Sequence, residues 1–555
     1  YRLPRIDGSR KYRVMVSGRY TTQGGPCRFR AKSFVVPRRL EDPATIATET
    51  GALHKQDPAT AMYPPAPPSV DEEPNAESPI LIPLGPERTL FPPTPAPTGT
   101  AGAGAPLEVT ENTSINSAGV PPDPSTARGS GDVVLATYNT GISYSLDGGA
   151  SFTDVNLVGP EPGNPSRTSF FPQSDNGLCC DQVVIYIPEQ DLFVWLLQYW
   201  PVVNSTTNTI TQPNRLRIAW ATPDDIRDDF WNAWTYGDLT ATSVSGVSDG
   251  LGVAGNEWLD YPDLAYSGSY LYVAIDHGAT TPGLVYTGRR IVARLDLGDI
   301  ADPSAGVVHY GYTELSGASG LNKSHFVQGA PGRMVTAGLK DTSTLRVFSW
   351  DDDRSSVTTS AMPVSSITRN YNSVAPDGTD WYSVSFPGNV TGGTYRADTD
   401  EYLFAFDGGQ DAGNGRPQAY VRIESAKRIP LPFLSIYFPS AEYDVWNANY
   451  AFAMAALGTQ AGEQGAEVGM SLAVGGGTLG YPQFAVGYKG DFAVTQVTGS
   501  NATQGGRFGD YLPLRPVPVS RNFATEVYDV LAISGGGARA TMRYVEFGRP
   551  GVIVK

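Results

Sequence analysis

Cysteine is nearly absent from this chain: Cys27, Cys179 and Cys180 are the only three in 555 residues, which excludes a disulfide-stapled scaffold. Histidine is almost as scarce. His54, His277, His309 and His325 are too few and too scattered for a multi-histidine zinc or iron centre. Charged residues make up only 17% of the sequence, against the pattern of coiled coils and charged helical bundles. No run of 18 or more apolar residues occurs, so the sequence predicts no membrane span. Walker A loops, dinucleotide fingerprints, G-x-S-x-G elbows and haem-attachment strings are all missing from fitting contexts, which removes those chemistries from consideration.

What is abundant points to β-structure. Glycine (62) and proline (45) punctuate short alternating runs rich in Tyr (29), Phe (21) and Trp (9), the pattern of many brief strands joined by turns. Charge is distributed unevenly. Residues 1–40 hold eleven Lys/Arg against the single acid Asp7, whereas the whole chain carries a net −16, so the remainder is strongly acidic. An acidic body excludes a broad nucleic-acid face. The basic segment is either a solvated arm or a strand-forming one that docks on an acidic surface, its own or a neighbour's; Tyr12-Arg13-Val14-Met15-Val16 alternates as a strand does.

Three regions follow from texture. Residues 1–40 are the basic arm, and residues 41–130 form a Pro/Gly/Thr-rich extended connector, with runs such as Phe91-Pro92-Pro93-Thr94-Pro95. Residues 131–555 repeat one outline every 50 to 80 residues: a polar opener, an apolar strand, a turn and a second, more hydrophobic strand. The clear copies pair 180–186 with 192–197, 260–266 with 270–275, 449–454 with 468–472 and 510–514 with 527–533, with weaker copies near His325 and Asn372. The expected fold class is all-β, a β-propeller of seven blades, or six if one unit is an elaborated loop, preceded by an extended N-terminal arm. The last unit shows only three strands, so ring closure calls for a fourth from the N-terminal side, and Leu107-Glu108-Val109-Thr110 fits.

In such a ring the openers Asp181, Asp260, Asn449 and Asp510 start innermost strands and gather at one channel mouth. They either cap strand ends or form a ring of oxygens able to bind a polar ligand and to supply a general acid. Glu257 and Tyr261 lie near enough in sequence to join them. Cys179 and Cys180 form a vicinal disulfide, stay as two thiols, or send one bridge to Cys27. No cofactor is required. Calcium is the ion suited to the glycine-rich loop, through Asp407, Asp411 and Asn414, unless that loop is an ordinary hairpin. Sequons at Asn112, Asn204, Asn322, Asn389 and Asn501 fit an extracellular or cell-surface glycoprotein.

One motif is specific. Ser145-Leu146-Asp147-Gly148-Gly149-Ala150-Ser151-Phe152 satisfies the Asp-box pattern S-x-D-x-G-x-[ST]-[WF] through Ser145, Asp147, Gly149, Ser151 and Phe152. It resembles the repeats of sialidase-like propellers (BNR repeats), as do the runs Gly177–Val183, Trp258–Pro262 and Arg507–Tyr511 of secreted members with no assigned function. The resemblance implies a propeller in which the Asp box lies on the blade periphery. A catalytic member would use an arginine clamp for a substrate carboxylate, a Tyr/Glu nucleophilic pair and an Asp acid/base. Tyr1-Arg2-Leu3-Pro4 matches the first clamp string but precedes the Asp box by some 140 residues, and Arg167, Arg369, Arg416 and Arg507 are the other clamp candidates. Two readings follow. One is a secreted, non-catalytic surface or assembly propeller whose residues 1–130 contact further copies of itself or a neighbouring surface protein, with glycans as possible ligands. The other is a glycoside hydrolase using carboxylates at the mouth.

Overall fold

The computed structural model describes residues 13–14, 17–22, 25–30, 34–35, 47–55, 81–84 and 107–118, and then 121–550 apart from short loop stretches, of which 243–249 is the longest. It divides into two units, Tyr1–Ala44 and Thr45–Lys555. In the first, Ser17–Thr22 pairs antiparallel with Gly25–Arg30, and Arg13–Val14 with Phe34–Val35. The basic segment therefore contains strands of its own.

The second unit is a seven-bladed β-propeller. Blade 1 comprises Ser125–Arg128, Val134–Tyr138, Gly141–Ser145 and Thr153–Val155; blade 2 comprises Leu178–Ile187, Leu192–Tyr199, Arg215–Ala221 and Thr235–Thr240. Blade 3 follows with Glu257–Tyr266, Tyr270–Thr280, Leu284–Asp296 and Val307–Leu315, and blade 4 with Arg333–Asp341, Thr344–Asp351 and Thr358–Pro363. Val390–Arg396, Glu401–Gly408, Tyr420–Leu431 and Leu434–Val445 build blade 5; Tyr450–Thr459, Val468–Gly476, Gly480–Tyr488 and Ala493–Gln496 build blade 6. Blade 7 orders Arg515–Pro516, Phe523–Ala532 and Ala538–Gly548, then takes Glu108–Ala118 as its outer strand, which closes the ring.

The strands that face other blades on both sides are buried along most of their length. Leu192–Tyr199 is buried at every position, because blades 1 and 3 cover its two faces and leave no solvent side to alternate toward. The core is thus a wheel of layers between blades rather than one central mass. Among the described residues no helix is long and apolar enough to cross a membrane.

Residues 41–130 differ from a plain connector. Ala47–Lys55 lies between the outer strands of blades 2 and 3 and pairs antiparallel with both, joining the two blades into a nine-stranded sheet. Leu81–Pro83 adds an outer strand to blade 6, where Ile82 is buried. Ser125–Arg128 already belongs to blade 1. Each contribution covers a sheet edge that would otherwise present unpaired backbone groups. Two expected strands are absent. Asp510–Leu514 is irregular, with Gly509 at φ 107° before it and Pro513, which has no N–H to donate, inside it. The copy near Asn372 lies in the insert between blades 4 and 5, not in a blade.

The octapeptide Ser145–Phe152 runs from the end of the third strand of blade 1 to the fourth. Asp147 accepts hydrogen bonds from the Ser145 hydroxyl and from both the amide and the hydroxyl of Ser151, while the Gly149 amide donates to Ser145 Oγ. These bonds hold the Asp147 carboxylate at a pKa of about 2. Gly149 needs φ 101°, and a Cβ there would collide with the Tyr544 ring, against which Phe152 also packs. Asp147→Ala removes several acceptors from one turn and should cost about 1–2 kcal/mol, read as a lower urea midpoint at unchanged slope. An unchanged midpoint would show the turn holds itself.

Candidate functional site

Three innermost strands break register shortly after they begin. Irregularities fall between Leu178 and Gln182 in blade 2, Asp260 and Asp263 in blade 3, and Ala453 and Ala456 in blade 6. A bulge leaves extra residues unpaired and re-aims their side chains, and such bulges gather at functional sites. Here the extra residues are Cys179-Cys180-Asp181, Tyr261-Pro262 and Met454-Ala455. Tyr261 (φ 47°) and Met454 (φ 55°) adopt left-handed backbone, as do Asp123 (φ 46°) and Lys323 (φ 59°), conformations that cost energy for such residues. Cys179 and Cys180 are joined to each other by a disulfide bond, which leaves Cys27 out of that pair.

Around these bulges the channel holds a connected polar network. Lys323 Nζ meets Asp510 Oδ2 at 2.7 Å, both side chains almost fully buried. The Asp510 amide donates to Asp123 Oδ1 at 2.7 Å, and Asn139 donates to Asp123 Oδ2 at 2.8 Å. Tyr261 and Tyr511 stack with centroids 4.3 Å apart and exchange hydroxyl bonds across the channel: Tyr261 donates to the Asp510 carbonyl, Tyr511 to the Pro262 carbonyl. The Tyr511 hydroxyl also reaches Asp181 Oδ2 at 3.1 Å, and Gln198 Nε2 donates to Asp260 Oδ1 at 3.1 Å. His325 Nε2 lies 3.1 Å from the Tyr261 hydroxyl, and its Nδ1 lies 3.4 Å from Asp263. Asp276 pairs with the fully buried Arg290 at 2.7 Å and accepts the Lys323 amide at 2.6 Å.

Electrostatics sort the acids. Burial, then the charges of Asp260, Asp123 and Asp510, hold Asp181 well above the usual carboxylate range despite Lys323. Burial also pushes Asp263 up, but His325, Arg515 and the Phe326 amide outweigh it and bring Asp263 below its ordinary value. Tyr261 and Tyr511 are raised, chiefly by burial, so both remain neutral donors. The raised Asp181 holds its proton more tightly than an ordinary carboxyl does. Clustered carboxyls with unequal proton affinities are the kind of groups that hydrogen-bonding and acid/base chemistry use.

Asp181, Asp260, Asp510 and Tyr261 thus come together. Asn449 is exposed and does not join them, and Glu257 is held by His277 Nδ1 at 2.9 Å. Arg369 is exposed and donates to Ser319, whereas Arg416 is buried against Asp444 at 3.0 Å; neither contact reaches the carboxylate group. Arg167 and Arg507 lie outside the described residues. The proposed calcium ligands separate: Asp407 is sealed in blade 5, accepting the Met454 amide, while Asp411 and Asn414 bond each other at the surface. Among the described residues no group of three or more His, Cys, Asp or Glu is placed to hold a metal ion. Of the sequons, Asn112, Asn204 and Asn501 are exposed and Asn389 is half-buried, but the amide nitrogen of Asn322 is shut away from solvent. Sequence reasoning missed Asp123, Lys323 and His325. Asp123 hides in the proline-rich run Pro121-Pro122-Asp123-Pro124, and Lys323 stands in no periodic pattern; only the scarcity of histidine marked His325.

No family model matches the chain, and no curated protein does. Among solved structures it is similar to the parainfluenza virus 5 hemagglutinin-neuraminidase ectodomain, at 10% identity and TM-score 0.30, covering 84% of each chain. Trypanosoma rangeli sialidase in complex with sialic acid matches at 8% identity and TM-score 0.32, covering 68% of this chain and 56% of that one. A prolyl endopeptidase structure matches at 10% identity and TM-score 0.32, over 78% of this chain and 51% of that one. At these TM-scores the likenesses carry no inference about what this chain does.

Proposed function

We propose that this protein is an extracellular or cell-surface propeller of the sialidase-like kind that binds a carbohydrate at its channel mouth without turning it over. Its basic arm contacts acidic surfaces of neighbouring copies. The observation that supports this reading is the convergence of Asp123, Asp181, Asp260 and Asp510 with Lys323 around backbone held in left-handed conformations. Of this set Asp181 and Asp260 are the partly exposed members that offer hydrogen-bonding oxygens to a polyhydroxylated ligand, and the Lys323–Asp510 pair is buried framework. Calorimetry of the full chain against neutral oligosaccharides tests it. Asp260→Asn should weaken binding by about 10- to 100-fold, the worth of one hydrogen bond to a charged group. Equal affinity in parent and variant would remove the mouth from the binding site.

A second reading, glycoside hydrolysis, is favoured by the raised pKa of Asp181 beside other carboxylates. It requires turnover of aryl glycosides by the parent, with Asp181→Asn lowering the rate by about 10²–10⁴ while binding persists.

A further inference from the structure

Large aromatic side chains of this protein are mostly buried between blades, and Trp200 is an exception, with 46% of its surface exposed. Its position is set by backbone: the Trp200 amide donates to the Gly177 carbonyl at 2.9 Å, where Tyr199 at the end of one blade 2 strand faces Leu178 at the start of the innermost strand. Trp200 therefore stands at the channel end where Asp181 enters the site. Its ring meets Trp258, on the innermost strand of blade 3, edge to face, with centroids 5.4 Å apart and planes at 75°. The Trp258 indole nitrogen is buried without a hydrogen-bond partner, a cost that native structures seldom leave standing away from functional sites.

The register ties this pair to the carboxylates. Trp258 and Asp260 are two residues apart on one strand, regularly paired with Gly278 and Asp276, so they share a face and lie roughly 7 Å apart along it. Trp200 is likewise two residues beyond Gln198, and Gln198 donates to Asp260. Two contacts thus bridge blades 2 and 3 in series: Gln198 to Asp260 inside, Trp200 to Trp258 outside. We infer that the Trp200–Trp258 corner is a stacking subsite for the apolar C–H face of a pyranose ring, whose hydroxyls then reach the partly exposed Asp260 carboxylate, which the buried Gln198 holds in place. An exposed indole beside fixed acceptors at about one ring's reach suits a molecule with one apolar face and a hydroxylated rim. This inference rests on reading the mouth as a carbohydrate site and names which edge of it the sugar occupies.

The test uses the full chain titrated with methyl β-glucoside, methyl β-galactoside and linear β1,4-linked glucose and N-acetylglucosamine trisaccharides, followed by calorimetry and tryptophan emission. Because Trp200 is exposed, Trp200→Ala should unfold at the parent temperature. It is expected to weaken the best ligand at least tenfold and to abolish the emission change, while Trp200→Phe keeps affinity within about threefold. Retained affinity and emission change in Trp200→Ala, with loss in Asp260→Asn, would overturn the stacking subsite and leave the mouth reading standing. Loss in Trp200→Ala with full affinity in Asp260→Asn would uphold the subsite and overturn the carboxylate reading. No binding of any probe by the parent would overturn both.

Discussion

A chain shortened to begin at residue 119 is expected to lose its cooperative unfolding transition, whereas one beginning at residue 45 should unfold at the parent temperature. The difference lies in one strand. Glu108–Ala118 pairs with Ala538–Gly548 from Glu108 opposite Gly548 to Ala118 opposite Ala540, so it supplies the outer edge of blade 7. With Leu107 before it, it places Leu107, Val109 and Ile115 against the layer shared by blades 6 and 7, and Asn112 donates to the Val497 carbonyl of the neighbouring segment. Three partly buried apolar side chains, each worth less than the ~1.5–3 kcal/mol of full burial, with the ladder bonds at ~0.5–1.5 kcal/mol each, sum to the same order as a domain's whole stability of about 5–15 kcal/mol. A chain beginning at residue 107 keeps that strand but loses Ala47–Lys55 and Leu81–Pro83; it should fold with a lower midpoint and self-associate through its uncovered edges. The described strands of the Tyr1–Ala44 unit pair with one another. Its removal should leave the melting temperature alone and, on the assembly reading, abolish salt-sensitive oligomers seen by light scattering. A cooperative, parent-like melt from the 119 start would refute closure by the N-terminal strand.

The parts of this fold that local pattern reveals are those whose strands are long and apolar. Val183–Tyr186 with Phe193–Leu196, and Leu264–Tyr266 with Leu271–Val273, pair as their pattern and turns suggest. The three-strand last unit likewise disclosed the missing fourth, because a propeller edge left open is unfavourable. What escaped depends on contacts far apart in the chain. Ala47–Lys55 is a strand only because two blade edges stand ready to pair with it, in a segment whose composition reads as linker. The site shows the same limit. Asp181 and Asp260 look like equivalent openers, yet the first paired residues after the bulges are Gln182 and Asp263, so the two acids reach the mouth from different register positions. Asp123 and Lys323 join through Asp510, 387 and 187 residues distant, and through left-handed backbone that no spacing rule signals.

The protein should be most stable in mild acid and lose stability steadily above neutrality, with Glu424 one clear source. Glu424 lies directly opposite Glu442 on adjacent strands of blade 5, both buried, and its Oε2 has no partner. Burial, then the charge of Glu442, push Glu424 up to about 9, with Arg422 only partly offsetting them. Asp407, buried one strand over, is pushed up to about 7 by burial, and Asp181 and Glu526 are raised as well. A carboxyl whose folded pKa exceeds its unfolded value binds its proton more tightly in the native state. Its contribution is therefore complete below the unfolded pKa of about 4.5 and declines as pH rises through the folded value. For Glu424 that window runs from about 4.5 to 9 and is worth on the order of 6 kcal/mol at about 1.4 kcal/mol per unit. Glutamine has the shape of the protonated side chain, so Glu424→Gln should match the parent near pH 5 and exceed it by several kcal/mol near pH 8.5. Urea midpoints at pH 5, 7 and 8.5 read this directly. Above about pH 7.5, where Asp407 has largely titrated, the parent slope should fall sharply in the variant; an identical slope there would mean that Glu424 is ionised in the native protein throughout, with Arg422 shared between Glu424 and Glu442 rather than held by Glu442 and Asp444.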